Sequence, residues 1–215
     1  MARSAPAFER NKGPIWDVLS KALPAEEEGA TLRLLEISSG TGQHAAHFAA
    51  ARRDLLVQPS DRALDDSESV AVHAADAGPE VAARVRPLAR LDVLQGMEAE
   101  REACGQFDVA VNINMLHIYL PECGEALFAV CAKALRPGGF LFTYGPYRVD
   151  GFLCESNQKF EAGFLKGQDE RFAIRELRDL EALAAKHGFS LEATVEMPAN
   201  NLSLIWRLAS LSPSL

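Results

Sequence analysis

No apolar run in this 215-residue chain reaches the roughly 18 residues that a helix needs to cross a bilayer; the longest candidates are broken by Asn, His or Gly. The first residues, MARSAPAFERNKG, lack the apolar stretch of a secretory leader, so a cytoplasmic protein is expected. Cysteine is scarce. Cys104, Cys123, Cys131 and Cys154 form no CxxC pair, and a zinc site needs tighter clustering than this. Reduced, partly buried thiols fit the same compartment. His44 and His47 stand three apart with no third ligand nearby, so no metal is expected. Cations are also short, with 22 Lys and Arg against 30 Asp and Glu. The resulting net charge of −8 argues against affinity for nucleic acid, which needs a cationic surface, but leaves room for a shaped pocket that takes one small molecule. There is no internal repeat and no linker that would split the chain, so residues 1–215 are expected to form a single domain.

The apolar patterning that is present alternates between two periods. Ile15, Val18, Leu19, Ala22 and Leu23 make a helical stripe ended by Pro24. Leu32–Ile37 is a short apolar run stopping at Ser-Ser-Gly, as a buried strand would. Helical spacing resumes over Ala45–Ala51, and strands are expected at Leu55–Gln58, Val85–Asp92, Phe107–Ile113 and Phe140–Tyr144. Residues 62–80 read as helix, as does the stretch from Pro121 to Leu135. After the helix Ile174–Lys186 come two strands, Phe189–Val195 and Leu202–Leu208, joined by a link too short for a crossover. Alternating strands and helices predict a doubly wound α/β fold. Its sheet is mostly parallel and seven-stranded, with an antiparallel C-terminal edge strand and helices on both faces.

In such a sheet, ligands bind beyond the carboxyl ends of the strands. The first loop there is Glu36-Ile37-Ser38-Ser39-Gly40-Thr41-Gly42-Gln43-His44-Ala45, where Gly40 and Gly42 allow close backbone approach. Read as GxGxxA, it also fits a dinucleotide fingerprint. Glu36 separates the two cases. A carboxylate at the strand end repels a pyrophosphate but attracts a ligand carrying an ammonium and a sulfonium, as S-adenosylmethionine does. An NAD(P)-dependent oxidoreductase is therefore the disfavoured rival. Asp61, after the second strand, can accept both ribose hydroxyls, and Asp92, after the third, can accept the adenine amino group. Each acid also has a plain structural use, as a solvated turn residue or a helix cap.

These residues resemble a class I S-adenosylmethionine-dependent methyltransferase, a Rossmann-like fold. ExSxGTG is similar to that family's ExGxGxG loop, with Ser38 where Gly is usual, and Leu135-Arg-Pro-Gly-Gly-Phe resembles its turn into strand five. A closer resemblance is to the methyltransferase-like protein 26 family. It rests on Glu9-Arg10-Asn11-Lys12, Ser39-Gly40-Thr41-Gly42-Gln43-His44, Gln58-Pro59-Ser60-Asp61, Ile113-Asn114-Met115-Leu116-His117, Thr143-Tyr144-Gly145-Pro146-Tyr147 and Met197-Pro198-Ala199-Asn200-Asn201. The resemblance implies that S-adenosylmethionine is the cofactor and S-adenosylhomocysteine its product, with cofactor contacts from Asn11, Glu36, Ser38, Gly40, Thr41, Gly42, His44, Asp61, Asp92, Val93, Asn112 and Asn114. It also implies that the N-terminal helix, within residues 1–24, lids the cofactor. Ser38 is comfortable only at negative φ, since a left-handed conformation costs a non-glycine residue about 1–2 kcal/mol. Accommodation without loss of binding is expected.

On the acceptor side, Asn112 and Asn114 flank the end of strand four, where they either orient an acceptor or cap the next helix. His117 just beyond is a candidate general base, and Tyr144 and Tyr147 are candidate walls and hydrogen-bond donors for a planar acceptor. Residues 148–172, with Asn157, Phe160 and Phe164, are expected to cover that site. Asn200 and Asn201 suit the turn between the last strands. The reading is methyl transfer to a small molecule, with no nucleic-acid or membrane partner. A silent S-adenosylmethionine-binding sensor or scaffold is the alternative.

Overall fold

The computed structural model describes residues 2–27, 29–96 and 106–210, so Cys104 lies outside the described residues. The chain runs α1 (Phe8–Ala22), β1 (Leu32–Ile37), α2 (Gln43–Ala51), β2 (Leu55–Asp61), α3 (Ser67–Asp76), α4 (Pro79–Ala82), β3 (Ala89–Arg90) and β4 (Phe107–Ile113). There follow α5 (Cys123–Ala134), β5 (Leu135–Gly145), α6 (Glu155–Lys159), a π-helical turn (Phe160–Leu165), α7 (Lys166–Gln168), α8 (Leu177–Lys186), β6 (Phe189–Met197) and β7 (Asn201–Leu208). Among the described residues no helix is long and apolar enough to cross a membrane.

Burial on both faces explains why the central strands are apolar runs and do not alternate with polar residues. Leu34, Val109, Val111 and Phe142 pack on one side against Ile15 and Leu19 of α1, Phe48 of α2 and Val70 of α3. Their sequence neighbours Leu35, Ala110 and Leu141 pack on the other, against Leu127 and Phe128 of α5 and Leu180 of α8. Trp206 is fully buried there, edge-on to Phe128 at 5.1 Å. Truncating such a side chain costs about 3–5 kcal/mol. Trp16, on the opposite side, stacks on Phe48.

The sheet order is β3-β2-β1-β4-β5-β7-β6. All pairs from β3 to β5 are parallel, and β7 runs antiparallel to both β5 and β6. The doubly wound, mostly parallel seven-stranded sheet with helices on both faces is therefore present. Its antiparallel strand is the C-terminal one, set one place in from the edge that β6 forms. The patterns show why. Ser203–Trp206 of β7 are all buried, whereas β6 turns Glu192, Thr194 and Glu196 outward, as an edge strand that resists further pairing does.

Two expected elements differ. The third strand is only two residues long, with a single further bridge between Val57 and Val85, because Pro87 cannot donate to the ladder. The helix expected over 62–80, ending at Gly78-Pro79, stops there as α3 but starts only at Ser67, and a further turn, α4, follows Gly78, whose φ is +112°.

Candidate functional site

The winding direction reverses between β1 and β4, which opens a crevice at their carboxyl ends. The loop after β1 lines it and is stitched to β2 before any ligand arrives. Ser39 N–H donates to Ser60 O at 2.9 Å, Ser60 N–H to Ser39 Oγ at 3.0 Å, and the hydroxyls of Ser39 and Ser60 both donate to Glu36 O. Gly40 (φ +51°) has open space where a Cβ would sit, and its N–H donates to Asp61 Oδ2 at 3.0 Å. Gly42 (φ +79°) caps α2, and a Cβ there would lie 2.6 Å from Val70 Cγ2 and 2.9 Å from Val70 Cα. The two glycines thus do different work: Gly40 leaves room for a ligand, and Gly42 lets α3 approach.

Ser38 adopts φ 59°, against the expectation of a negative angle. The chain must turn within one residue for Ser39 to reach Ser60, and the Ser38 hydroxyl finds the Tyr119 phenol. The strain, about 1–2 kcal/mol, is held by those bonds.

Three acids stand at the ends of three adjacent strands, as expected. Glu36 is 2% exposed, and its Oε2 has no partner among the described residues. Burial, reinforced by the Asp61 charge, raises it to about 8 from 4.5, while Ser39 and the Ala45 backbone pull the other way. Glu36 therefore carries a proton at neutral pH, which corrects the picture of a standing carboxylate. A cation drawing near releases that proton, and an anion fixes it. Asp61 also accepts the Arg62 N–H, and Asp92 Oδ1 accepts the Leu94 N–H, which closes the turn after β3. Each keeps lone pairs for further donors. Val93 buries its side chain in the core, leaving only its backbone to a ligand.

Helix α1 brings Asn11 onto α2, where Asn11 Oδ1 lies 3.1 Å from His44 Nε2. Burial lowers His44 to about 4, so its ring is neutral and Nε2–H donates to Asn11. Thr41 gives its hydroxyl to Gln43 Oε1, which also accepts the Ala5 N–H, so the N-terminal segment is tied to the loop. Arg10 stands near the Tyr144 phenol.

On the acceptor side the structure separates residues that look alike in sequence. Asn112 is a buried clip, its Nδ2 donating to Ile37 O at 3.0 Å and leaning on Met115 Sδ. Asn114 holds a left-handed turn (φ 58°) with its N–H on Tyr144 O. Tyr144 faces the α1 side, where its hydroxyl accepts from Asn201 Nδ2 at 3.0 Å. Tyr147 faces the other layer and donates to Thr143 Oγ1 at 2.8 Å, an oxygen that also accepts Trp206 Nε1–H. The two tyrosines therefore do not form one wall, because Tyr144 lies within β5 and Tyr147, two residues past its end, turns to the opposite layer.

His117 is 6% exposed, edge-on to Phe160 and close to the Arg175 guanidinium. Burial and that charge lower it to about 4, far below the near-neutral value expected of a base. Phe160 stacks on Phe164, and the segment after β5 is anchored by Leu153, Leu165 and Ile174 and by Glu161, which receives both Arg148 and the Ile174 N–H.

Two residues that the sequence does not signal join the site. The Arg62 guanidinium lies 5.2 Å over the Tyr119 ring, beside Asp61 and Ser38. Arg175 holds the Tyr119 loop by donating to the Leu116 and Tyr119 carbonyls. Among the described residues no group of three or more His, Cys, Asp or Glu converges to hold a metal.

This arrangement can be set beside known proteins. A family model described as "protein of unknown function (DUF938)" matches residues 2–208. The chain belongs to the DUF938 family. Solved structures extend the likeness to this DUF938 member's fold. One is an O-methyltransferase family protein from Burkholderia thailandensis, with TM-score 0.75 and 16% identity over 96% of this chain and 58% of that one. Another is the CurJ carbon methyltransferase, with TM-score 0.72 and 16% identity over 97% and 56%. A third is CalO1, a methyltransferase in calicheamicin biosynthesis in its SAH-bound form, with TM-score 0.69 and 20% identity over 94% and 55%. The DUF938 chain spans between 55% and 58% of the length of these three. The fold is shared with these methyltransferases.

Proposed function

We propose that this protein transfers a methyl group from S-adenosylmethionine to a small-molecule acceptor. The observation that carries this reading is the buried, unpartnered Oε2 of Glu36 at the start of the loop that holds Gly40, with Asp61 ending the next strand and Asp92 just past the one after it. That set fits a ligand with a cationic amine at one end and a ribose and adenine at the other. Asp61 receives the ribose hydroxyls, Asp92 the adenine amino group, and Glu36 answers the cation by giving up its proton. When bound, S-adenosylmethionine supplies an electrophilic methyl carbon and leaves as S-adenosylhomocysteine. The resemblance of its strings to the methyltransferase-like protein 26 family agrees with the same assignment. The free thiols of Cys123, Cys131 and Cys154 agree with action in the cytoplasm, and the net charge of −8 disfavours polyanionic acceptors.

With His117 neutral and weakly basic and Tyr147 committed to Thr143, the chain's own contribution is to hold both reactants in line, and the acceptor must bring its own nucleophile. The same two observations favour one second reading, a protein that binds S-adenosylmethionine without transfer. Calorimetric titration with S-adenosylmethionine, S-adenosylhomocysteine and NADH tests the assignment: the first two bind and the third does not. Binding of NADH alone, or of none, overturns it. An acceptor screen that finds no methylated product on protein that binds both adenosyl ligands favours the silent reading.

A further inference from the structure

A cavity of about 310 Å3 opens beyond the carboxyl ends of β5 and β6 and the amino end of β7. It is bounded on one side by the segment that follows β5 and on the other by the link between β6 and β7. It lies at the same end of the sheet as the Gly40 loop: Asn114 bonds Tyr144, Gly145 pairs with Leu202, and both Asn201 and Leu202 line the cavity. Its volume suits a small organic molecule. Val149, Phe152, Leu153, Met197 and Leu202 supply apolar walls, and Phe152 is 72% exposed at this place, an exposure that folding alone does not explain. Ala199 and Asn200, successive residues at φ 60° and 57°, shape the link that makes one wall.

The polar lining is richer in acceptors than in free donors, and its one charged side chain is acidic. Three amides line it, and each commits at least one N–H elsewhere: Asn157 Nδ2 donates to Asn200 O, Asn200 Nδ2 to Ser156 Oγ, and Asn201 Nδ2 spends both, on the Tyr144 hydroxyl and Pro198 O. The Tyr147 proton goes to Thr143. The amide oxygens are left without a donor among the described residues, and beside them stands Glu196, exposed and without an ion pair among the described residues. The lining holds no Lys, Arg or His, and basic side chains on the surrounding segments are matched to acids, Arg148 to Glu161, Lys159 to Glu155 and Arg178 to Asp150.

We infer that this cavity is the acceptor site and that it selects an apolar, ring-sized molecule ending in a hydrogen-bond donor, an amine above all or a hydroxyl, and rejects carboxylates and phosphates. This rests on the methyl-transfer reading for the purpose of the bound molecule, though not for its selection. An ammonium is attracted by Glu196 and can donate to the amide oxygens of the lining, whereas a carboxylate meets the like charge of Glu196 with no Lys, Arg or His in the lining to offset it.

The test uses three probes alike in ring and length: 2-phenylethylamine, 2-phenylethanol and phenylacetate. Their binding to the full chain is measured by saturation-transfer NMR, with and without S-adenosylhomocysteine. The amine should bind about tenfold tighter than phenylacetate, with the alcohol between, since exchanging attraction for repulsion at one exposed carboxylate is worth at most about that factor. Glu196→Lys, on an exposed face of an edge strand, should fold normally and reverse the order. Phenylacetate binding as tightly as the amine overturns the inference, and so does an order unchanged by Glu196→Lys, or no probe binding to protein that binds S-adenosylhomocysteine. Loss of S-adenosylhomocysteine binding alone, with amine selection intact, overturns the methyl-transfer reading and upholds the cavity's selectivity.

Discussion

Replacing Glu36 by glutamine should make the protein more stable and its cofactor pocket worse, with the stability gain growing as pH rises. In the unfolded chain this carboxyl titrates near 4.5, and in the fold burial lifts it to about 8. The folded state thus holds a proton that the unfolded state releases. The raised value means that stability is fully present below about pH 4.5 and is lost as pH climbs towards 8. The interval is about 3.5 pH units at about 1.4 kcal/mol each, so the loss is about 3 kcal/mol at pH 7, about 4 kcal/mol at pH 8 and approaches about 5 kcal/mol above that. Glutamine has the same shape and does not ionise, so Glu36→Gln escapes the penalty. Urea unfolding of both proteins between about pH 5 and pH 9 should give curves that converge at the acid end and separate by about 3–5 kcal/mol at the alkaline end. At pH 7 S-adenosylhomocysteine, through its amine, should draw off up to one proton per site from the parent and none from the variant, as read by calorimetry in buffers of different ionisation enthalpy, and should bind the variant more weakly. Parallel stability curves, or a parent more stable than the variant at pH 8, would refute the buried protonated carboxyl and with it the role given to Glu36.

Gly42→Ala should cost about 2–4 kcal/mol, because a Cβ at positive φ would meet the Val70 backbone, while Gly40→Ala should cost only about 1–2 kcal/mol and yet abolish S-adenosylhomocysteine binding. Melting curves and titrations of the two variants separate these outcomes, and equal losses of stability would contradict the assignment. The His117 ring resonances should titrate with a midpoint of about 4, and any methyl-transfer rate should show no break near 6.5 from this residue; an NMR midpoint near 6.5 would restore it as a candidate base. Thr143→Val should destabilise the protein by about 2–5 kcal/mol, since it strands the buried Tyr147 O–H and Trp206 N–H together; a change under about 0.5 kcal/mol in urea unfolding would mean that both donors find other partners.

Much of the site was legible along the chain because it is local. Glu36, Gly40 and Gly42 belong to one strand-to-helix turn, and a strand followed by a Gly-rich turn marks the carboxyl end of a parallel sheet wherever it occurs. Asp61 and Asp92 followed from the same rule applied to the next two strands. The acceptor side was legible only in outline. Tyr144 and Tyr147 are three residues apart and end in different layers, and whether a residue beyond a strand end keeps the strand's alternation depends on how the following segment is anchored. Arg62 and Tyr119 meet across 57 positions of sequence, a contact that the parallel crossovers create and that no local pattern carries.

The amino-acid sequence by itself determined which segments are strands and helices, their alternation, and so the doubly wound sheet with its ligand loop, because periodic burial is written residue by residue. Only the tertiary structure decided the chemical state of the groups that the loop and its neighbours present. Glu36 holds its proton at neutral pH, His117 stays neutral there, and the Tyr147 hydroxyl is committed to Thr143. Each of these follows from what packs against the group in three dimensions, since desolvation and hydrogen-bond partners, not residue identity, set where a proton sits.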